Sequence, residues 1–368
     1  MTNRAIAHAR LRNSRLAGPP LASPEEVVGW FGAVQSQDVP GALWGIAQRM
    51  PRDAGLTIDD LGAAADAGRL IRTHGPRPTW HFISPPDLRW ILALVGPRVQ
   101  VQNGSINRRE GVDEATLRRV PGILRTAMAG GVAMTRPELG AALTAAGIED
   151  ASGLRLGLLG MHAELEAVLC NGPRRGRQGT FMLVDDLVPP APARSRPDAL
   201  CELTIRYFQS HGPALAHDMA WWSGLTVGSV REGIGLAGDA LEGRRIDGKD
   251  YWAAADAFNP EPGRVPEPSV LLLPNYDEYL GSFVDYSPIF DESLPKPRNV
   301  SDVLGAHIVV RDGFVVGGWR RSLARDRVNV TVTLLIPLTP AELNKLEAAA
   351  AAFGRFMGLP VELRVLAA

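Results

Sequence analysis

The sequence predicts a mainly α-helical chain with α+β character, built of tandem winged-helix (helix-turn-helix) repeats and ending in a strand-rich C-terminal part. Three observations predict it. Proline-marked helix caps recur along the first two thirds of the 368 residues, and the helices they open lead into short hairpins. From about Ser269 the pattern changes to apolar, β-branched runs: SVLLLPNYDEYLGSF, AHIVVRDGFVVGGW and RVNVTVTLLIPL. A hydrophobic fraction of 45% fills a sizeable core in a chain long enough for two or three domains.

Taken in order, Ser23-Pro24-Glu25-Glu26 reads as a capping box with proline at the first helical position. It predicts a helix through Val27, Val28, Trp30, Phe31 and Val34 that ends near Pro40, because the residue before a proline avoids the helical region. ALWGIAQRM follows as a second helix, and Thr57 to Asp60 caps a third, DDLGAAADAG. RLIRTH and PTWHFI, split by Gly75-Pro76, form a hairpin, and Ser84-Pro85-Pro86-Asp87 then opens DLRWILALV. The order recurs. Thr135-Arg136-Pro137-Glu138 caps ELGAALTAAG, the helix GLRLGLLGMHAELEAVL comes next, and CNGPRRGRQGTFMLV is a hairpin. PPAPARSRP (189–197) is a linker. CELTIRYFQSHG, PALAHDMAWWSG, TVGSVREGIG and the hairpin LEGRRIDGKDYW make a third copy, and a helix from Pro340 to Met357 closes the strand-rich part. The expected units are 1–134, 135–197, 198–268 and 269–368. The repeat is one of element order, so by itself it leaves DNA binding and protein interaction both open.

Net charge is −1, low for a nucleic-acid binder, but it is unevenly spread. Residues 1–135 hold 16 arginines against 11 acids, and residues 201–368 hold 16 basic residues against 21 acids. Two cysteines, Cys170 and Cys201, make neither a disulfide framework nor a zinc site and read as buried small apolar residues. The N-terminus lacks a signal-peptide core and no run reaches 18 apolar residues, so a cytoplasmic, nucleoid-associated protein with no membrane contact is expected.

Several motifs fail on context. GIGLAG (233–238) has dinucleotide-type glycines but ends a helical stretch, so no nucleotide cofactor follows from it. His162-Ala163-Glu164 has half of a deaminase zinc site and lacks the cysteine half, reading as helix surface. Ser223 lacks the glycines of a nucleophile elbow. Trp221 and Trp222 read as core. The remaining segment is A-V-Q-S-Q-D-V-P (33–40). Gln35 and Gln37 diverge on a regular helix and share a side in an extended segment.

VVGWFGAVQSQDVPGALWGIAQR and IRTHGPRPTWHFISPPDLRWIL resemble the first two signatures of the AlkZ-type DNA glycosylases, within the winged-helix DNA-binding family. GILRTAMAGGVAMTRPELGAAL, VLCNGPRRGRQGTFMLVDD, SHGPALAHDMAWWSGLT and LLLPNYDEYLGSF resemble later blocks in the same order, so the similarity spans most of the chain. It implies three tandem winged helices in a C-shape whose concave face holds double-stranded DNA. It also implies a catalytic pair of glutamines flanking one residue, which falls on Gln35 and Gln37. The middle residue, apolar in many members, is Ser36 here. Gln37, where other branches carry an acid, resembles the interstrand-crosslink branch.

Two neutral amides suit a particular chemistry. A purine alkylated at N7 carries a positive charge and leaves as a neutral base, so it needs no general acid. What remains is an oriented water and stabilisation of an oxocarbenium-like sugar. Amides hold a water without any change in its acidity. The expected activity is therefore monofunctional hydrolysis of the N-glycosidic bond of N7-alkylated purines, interstrand crosslinks included, without cofactor or metal. A Schiff-base mechanism would use an amine, and the three lysines, Lys249, Lys296 and Lys345, all lie far from Gln35 in sequence. Asp38 and His81 are expected to support the site. Arg174, Arg175 and Arg177 in the glycine-rich hairpin, with Arg320 and Arg321, are expected to contact DNA. The alternative reading is a non-enzymatic winged-helix DNA-binding protein, a regulator or lesion binder.

Overall fold

Side-chain caps and prolines set where the helices begin. The computed structural model describes residues 2–255, 257–258, 269–290 and 307–367. The last ten residues of the third expected unit and Lys296 lie outside them. After α1 (Asn3–Asn13), Ser23 caps α2 (Pro24–Phe31) and accepts the Glu26 N–H. This helix stops at Phe31 and not near Pro40. Gly32 turns the chain at φ +81°, a conformation that residues with a side chain rarely adopt, and Val34–Gln35 becomes a two-residue strand, β1. Pro40 opens the next helix, α3 (Val39–Ala47). In a first turn its missing N–H breaks no hydrogen bond.

A full capping box at Thr57 starts α4 (Ile58–Asp66), and β2 (Ile71–His74) and β3 (Trp80–Ile83) form a hairpin. β1 pairs with β3, giving the sheet order β1-β3-β2. This winged-helix order of helix, short strand, two helices and hairpin then recurs. A 25-residue helix, α5 (Pro85–Arg109), runs past Pro97 and well beyond the nine residues the sequence suggests. The second pattern is α6 (Glu114–Ala127), β4 (Met134–Thr135), α7 (Arg136–Ala145), α8 (Gly153–Leu165), β5 (Leu169–Arg175) and β6 (Gln178–Leu183), with order β4-β6-β5. After the short α9 (Val184–Leu187) comes the third: α10 (Arg196–Ser210), β7 (Ala214–Leu215), α11 (Ala216–Ser223), α12 (Val227–Ala237), β8 (Leu241–Ile246) and β9 (Lys249–Ala254), ordered β7-β9-β8. The glycines of GIGLAG serve packing here. A Cβ on Gly233 would lie 2.2 Å from Thr204 Oγ1, so glycine is what lets α12 approach α10.

The C-terminal part holds β10 (Val270–Leu273), α13 (Glu278–Gly281), β11 (His307–Arg311), β12 (Phe314–Leu323), β13 (Val328–Leu334), α14 (Pro340–Met357) and β14 (Val361–Ala367). Its five strands form one sheet in chain order, antiparallel except for the parallel pair β13–β14. α14 is the crossover that a parallel pair requires. One core joins this sheet to the first winged-helix pattern. Trp44 of α3 packs edge-on against Phe353 of α14 and donates its indole N–H to Leu272 O at 2.8 Å. No described helix is long and apolar enough to cross a membrane.

Buried ion pairs clip the parts together. Arg49, just past α3, holds Asp277 by two hydrogen bonds of 2.8 and 2.9 Å, and both side chains are almost wholly buried. Arg10 of α1 lies 3.9 Å from Asp218 of α11. Removing one partner leaves an uncompensated buried charge. Asp277→Ala is therefore expected to destabilise the fold by about 3–5 kcal/mol, read as a lower denaturation midpoint in urea.

Candidate active site

The turn at Gly32 delivers Gln35 to the edge of a three-stranded sheet, where it pairs in register with His81 of β3. Directly opposed residues of an antiparallel pair share a face, so the Gln35 and His81 side chains project together. Gln35 is 7% exposed. The hairpin loop between β2 and β3 brings in Arg77, whose Nη2 donates to Gln35 Oε1 at 2.8 Å. A guanidinium only donates, so the amide oxygen must face Arg77 and the amide NH2 is left for another partner. The backbone is held as firmly. Gln35 N–H donates to Glu278 Oε1 at 2.7 Å, Ser36 N–H to Trp80 O at 2.7 Å, and Arg72 donates twice to Ser36 O at 3.2 Å.

Glu278 of α13 is buried with four donors. Besides Gln35 it accepts from Trp222 Nε1 at 3.0 Å, Ser282 Oγ at 2.5 Å and His211 Nε2 at 3.3 Å. Burial pushes its carboxyl up, but the His211 hydrogen bond and charge, with Ser282 and the Gln35 N–H, outweigh this and hold it at about 2. It is an ionised carboxylate beneath the glutamine. His81 is fully buried, and burial with the nearby Arg77 charge drives it down to about 3. It is neutral. Nδ1 donates to Thr79 O at 2.9 Å, which leaves Nε2 unprotonated and without a hydrogen-bond partner.

The other expected site residues are distributed as follows. Gln37 is exposed, and its carboxamide makes no hydrogen bond among the described residues. Both oxygens of Asp38 accept from Arg321 Nη2 at 2.7 Å, so these two form one ion pair. Arg174 binds the Asp66 carboxylate on α4 at 2.8–3.1 Å, and its backbone N–H donates there too. Arg175 holds Glu138 and Ala133 O. Arg177 and Arg320 are exposed and unpaired among the described residues.

Sequence reasoning missed Arg77, Glu278 and His211. The one available signal was the pair of acids, Asp277 and Glu278, inside the otherwise apolar run YDEYLG. It also misplaced Glu164. That residue is not helix surface but wholly buried against His74, and burial pushes its carboxyl up despite that histidine. Trp221 is 51% exposed and not core, whereas Trp222 is fully buried. Cys170 is buried, as expected, and Cys201 partly so; both are free thiols.

A family model described as DNA glycosylase AlkZ-like matches residues 28–356. An interstrand DNA cross-link repair glycosylase from Streptomyces sahachiroi is 27% identical over 319 residues, covering 81% of this chain and 82% of that protein. The solved structure of the Streptomyces sahachiroi DNA glycosylase AlkZ superposes with a TM-score of 0.80 at 24% identity, covering 99% of each chain.

The neutral state of His81 has a consequence for stability. Unfolding returns it to the ordinary histidine value of 6.5, so between about 3 and 6.5 the unfolded chain binds the extra proton. The urea midpoint is expected to fall as pH drops from 7 to 4, and His81→Asn to lose part of that slope.

Proposed function

Because the chain belongs to the AlkZ-like DNA glycosylase family, we propose that it hydrolyses the N-glycosidic bond of N7-alkylated purines in double-stranded DNA. Interstrand crosslinks are included, in line with the name of its Streptomyces relative. The observation that carries the reading is the fixed Gln35 carboxamide, oriented by Arg77 at 2.8 Å above the ionised Glu278.

In this mechanism the two glutamines divide the work. Gln35 shares its oxygen with Arg77 and offers its NH2 to the oxygen of a water. Gln37 has a free amide oxygen and accepts a hydrogen bond from that water. The C1′–N9 bond breaks with both electrons going to the purine, which leaves neutral because its positive charge is cancelled. The water oxygen bonds to C1′ of the oxocarbenium-like sugar, and the surplus proton passes to solvent. Two aligned amides place the water in a near-attack position without deprotonating it beforehand. Asp38, bound to Arg321, anchors the segment that carries Gln37. His81, neutral and uncharged beside the site, adds no repulsion to a cationic base.

The described lysines are consistent with product release without strand cleavage. Lys249 is held by Asp285 Oδ2 at 2.7 Å and Ser287 Oγ at 3.2 Å, and Lys345 lies on α14. We therefore read the reaction as monofunctional, leaving an abasic site. DNA contact is assigned first to Arg177 and Arg320, since Arg174 and Arg175 are engaged with Asp66 and Glu138 and dock the hairpin on its neighbours.

Incubation with a duplex containing 7-methylguanine is expected to release the base. Gln35→Ala or Gln37→Ala should slow release by about tenfold to a thousandfold with duplex affinity nearly unchanged. Tight binding with no release, from this adduct or a bulkier N7 adduct, would instead favour a non-enzymatic lesion binder. Arg177→Ala and Arg320→Ala should each lower the slope of log K against log salt by about 0.9 if they touch one phosphate apiece. An unchanged slope in both would remove them from the interface.

A further inference from the structure

Aromatic side chains lower their free energy by burial, and in this molecule nearly all of them are buried or half-buried. Among the described residues two are exposed, Trp221 at 51% and Tyr276 at 43%. They come from different parts of the fold: Trp221 lies beside Arg77, which holds Gln35, and Tyr276 lines the same small cavity as Gln35.

On one side, the Arg77 guanidinium carbon lies 5.3 Å from the centroid of the Trp221 ring, while the same guanidinium donates to Gln35 Oε1. The end of α11 is packed onto the loop that carries Arg77. A Cβ on Gly224 would lie 3.1 Å from Pro76 O and 4.0 Å from Arg77 Cγ. The neighbouring Trp222 points the other way, fully buried with its indole N–H on Glu278. The two consecutive tryptophans of α11 thus reach the Gln35 cluster by different routes, Trp222 through Glu278 and Trp221 through Arg77. On the other side, Tyr276 precedes α13. A Cβ on Gly281 would lie 3.4 Å from Tyr276 O and 3.5 Å from Gln35 Oε1, so both atoms face the same glycine. Tyr276 adopts φ +65°, a left-handed conformation that a bulky residue takes only when its surroundings impose it.

We propose that Trp221 and Tyr276 form an aromatic platform beside Gln35 that receives the purine ring of the target nucleotide. The inference rests on the reading of Gln35 as part of the catalytic centre. The ligand class is a flat heteroaromatic base displaced from the duplex stack, and a cationic alkylpurine suits it best. Such a ring is electron-poor and is attracted to the electron-rich faces of indole and phenol. A base taken out of the duplex loses its stacking neighbours, and a protein ring replaces them. Polycyclic N7 adducts offer more ring area to the same surface.

The test measures affinity for a duplex with one 7-methylguanine and for the matched undamaged duplex, together with single-turnover base release, on the full chain. Trp221→Ala and Tyr276→Ala are compared with Trp221→Phe, Tyr276→Phe and wild type. Each alanine variant is expected to reduce the preference for the lesion duplex by about tenfold to a hundredfold. Affinity for undamaged duplex should stay within a few-fold, and the phenylalanine variants should keep most of the preference. Both side chains are exposed, so the variants should fold, and circular dichroism checks this. A lesion preference unchanged in both alanine variants overturns the platform. A wild-type protein that prefers the lesion duplex but releases no base overturns the catalytic reading, while the variants still decide the platform by binding.

Discussion

A buried carboxylate must be neutralised by the groups around it, and Glu278 meets that demand by drawing three distant stretches of chain onto one side chain. The first winged-helix pattern supplies the Gln35 N–H, the third supplies His211 and Trp222, and the C-terminal part supplies Glu278 itself and Ser282. Losing a donor would leave charge in a low-dielectric interior, so the arrangement resists small displacements. The neighbouring Asp277 pairs with Arg49 on the same principle. The position of Gln35 is therefore fixed by the whole assembly and not by its own two-residue strand, which is too short to hold it.

This construction separates support from chemistry. The charged groups, Glu278 and Arg77, lie behind or beside the glutamine and are already paired, Glu278 with His211 among its partners. The hydrogen-bonding capacity left over is neutral: the NH2 of Gln35 and the free carboxamide of Gln37. Such a surface suits a reaction whose substrate brings its own charge and whose leaving group needs no proton. The exposed rings of Trp221 and Tyr276 extend the same logic, since they offer polarisable surface.

Legibility in the sequence followed the range of the interactions. Ser23, Thr57 and Thr135 announced helix starts because their caps are satisfied within three residues, and the closing helix was found with its bounds, Pro340–Met357. β1 was missed because nothing local makes Val34–Gln35 a strand. It exists only against β3, and so the end of α2 was misjudged as well. β14, α1 and α6 also escaped notice. The hairpin arginines looked free because their partners are remote in sequence, with Asp66 108 residues from Arg174 and Glu138 37 from Arg175. Glu278 and Trp221 owe their meaning to tertiary neighbours that no local pattern reveals. The pairing of glutamines was visible as a motif, whereas the orientation of Gln35 depends on Arg77, 42 residues away.

The central claim is that an oriented Gln35 amide does the positioning. It is tested most directly by Arg77→Met, which keeps the aliphatic stem and removes the donor to Oε1. Single-turnover release of 7-methylguanine is measured at saturating protein. The account predicts a rate lower by about tenfold or more with little change in affinity for the lesion duplex. A wild-type rate in that variant would contradict it.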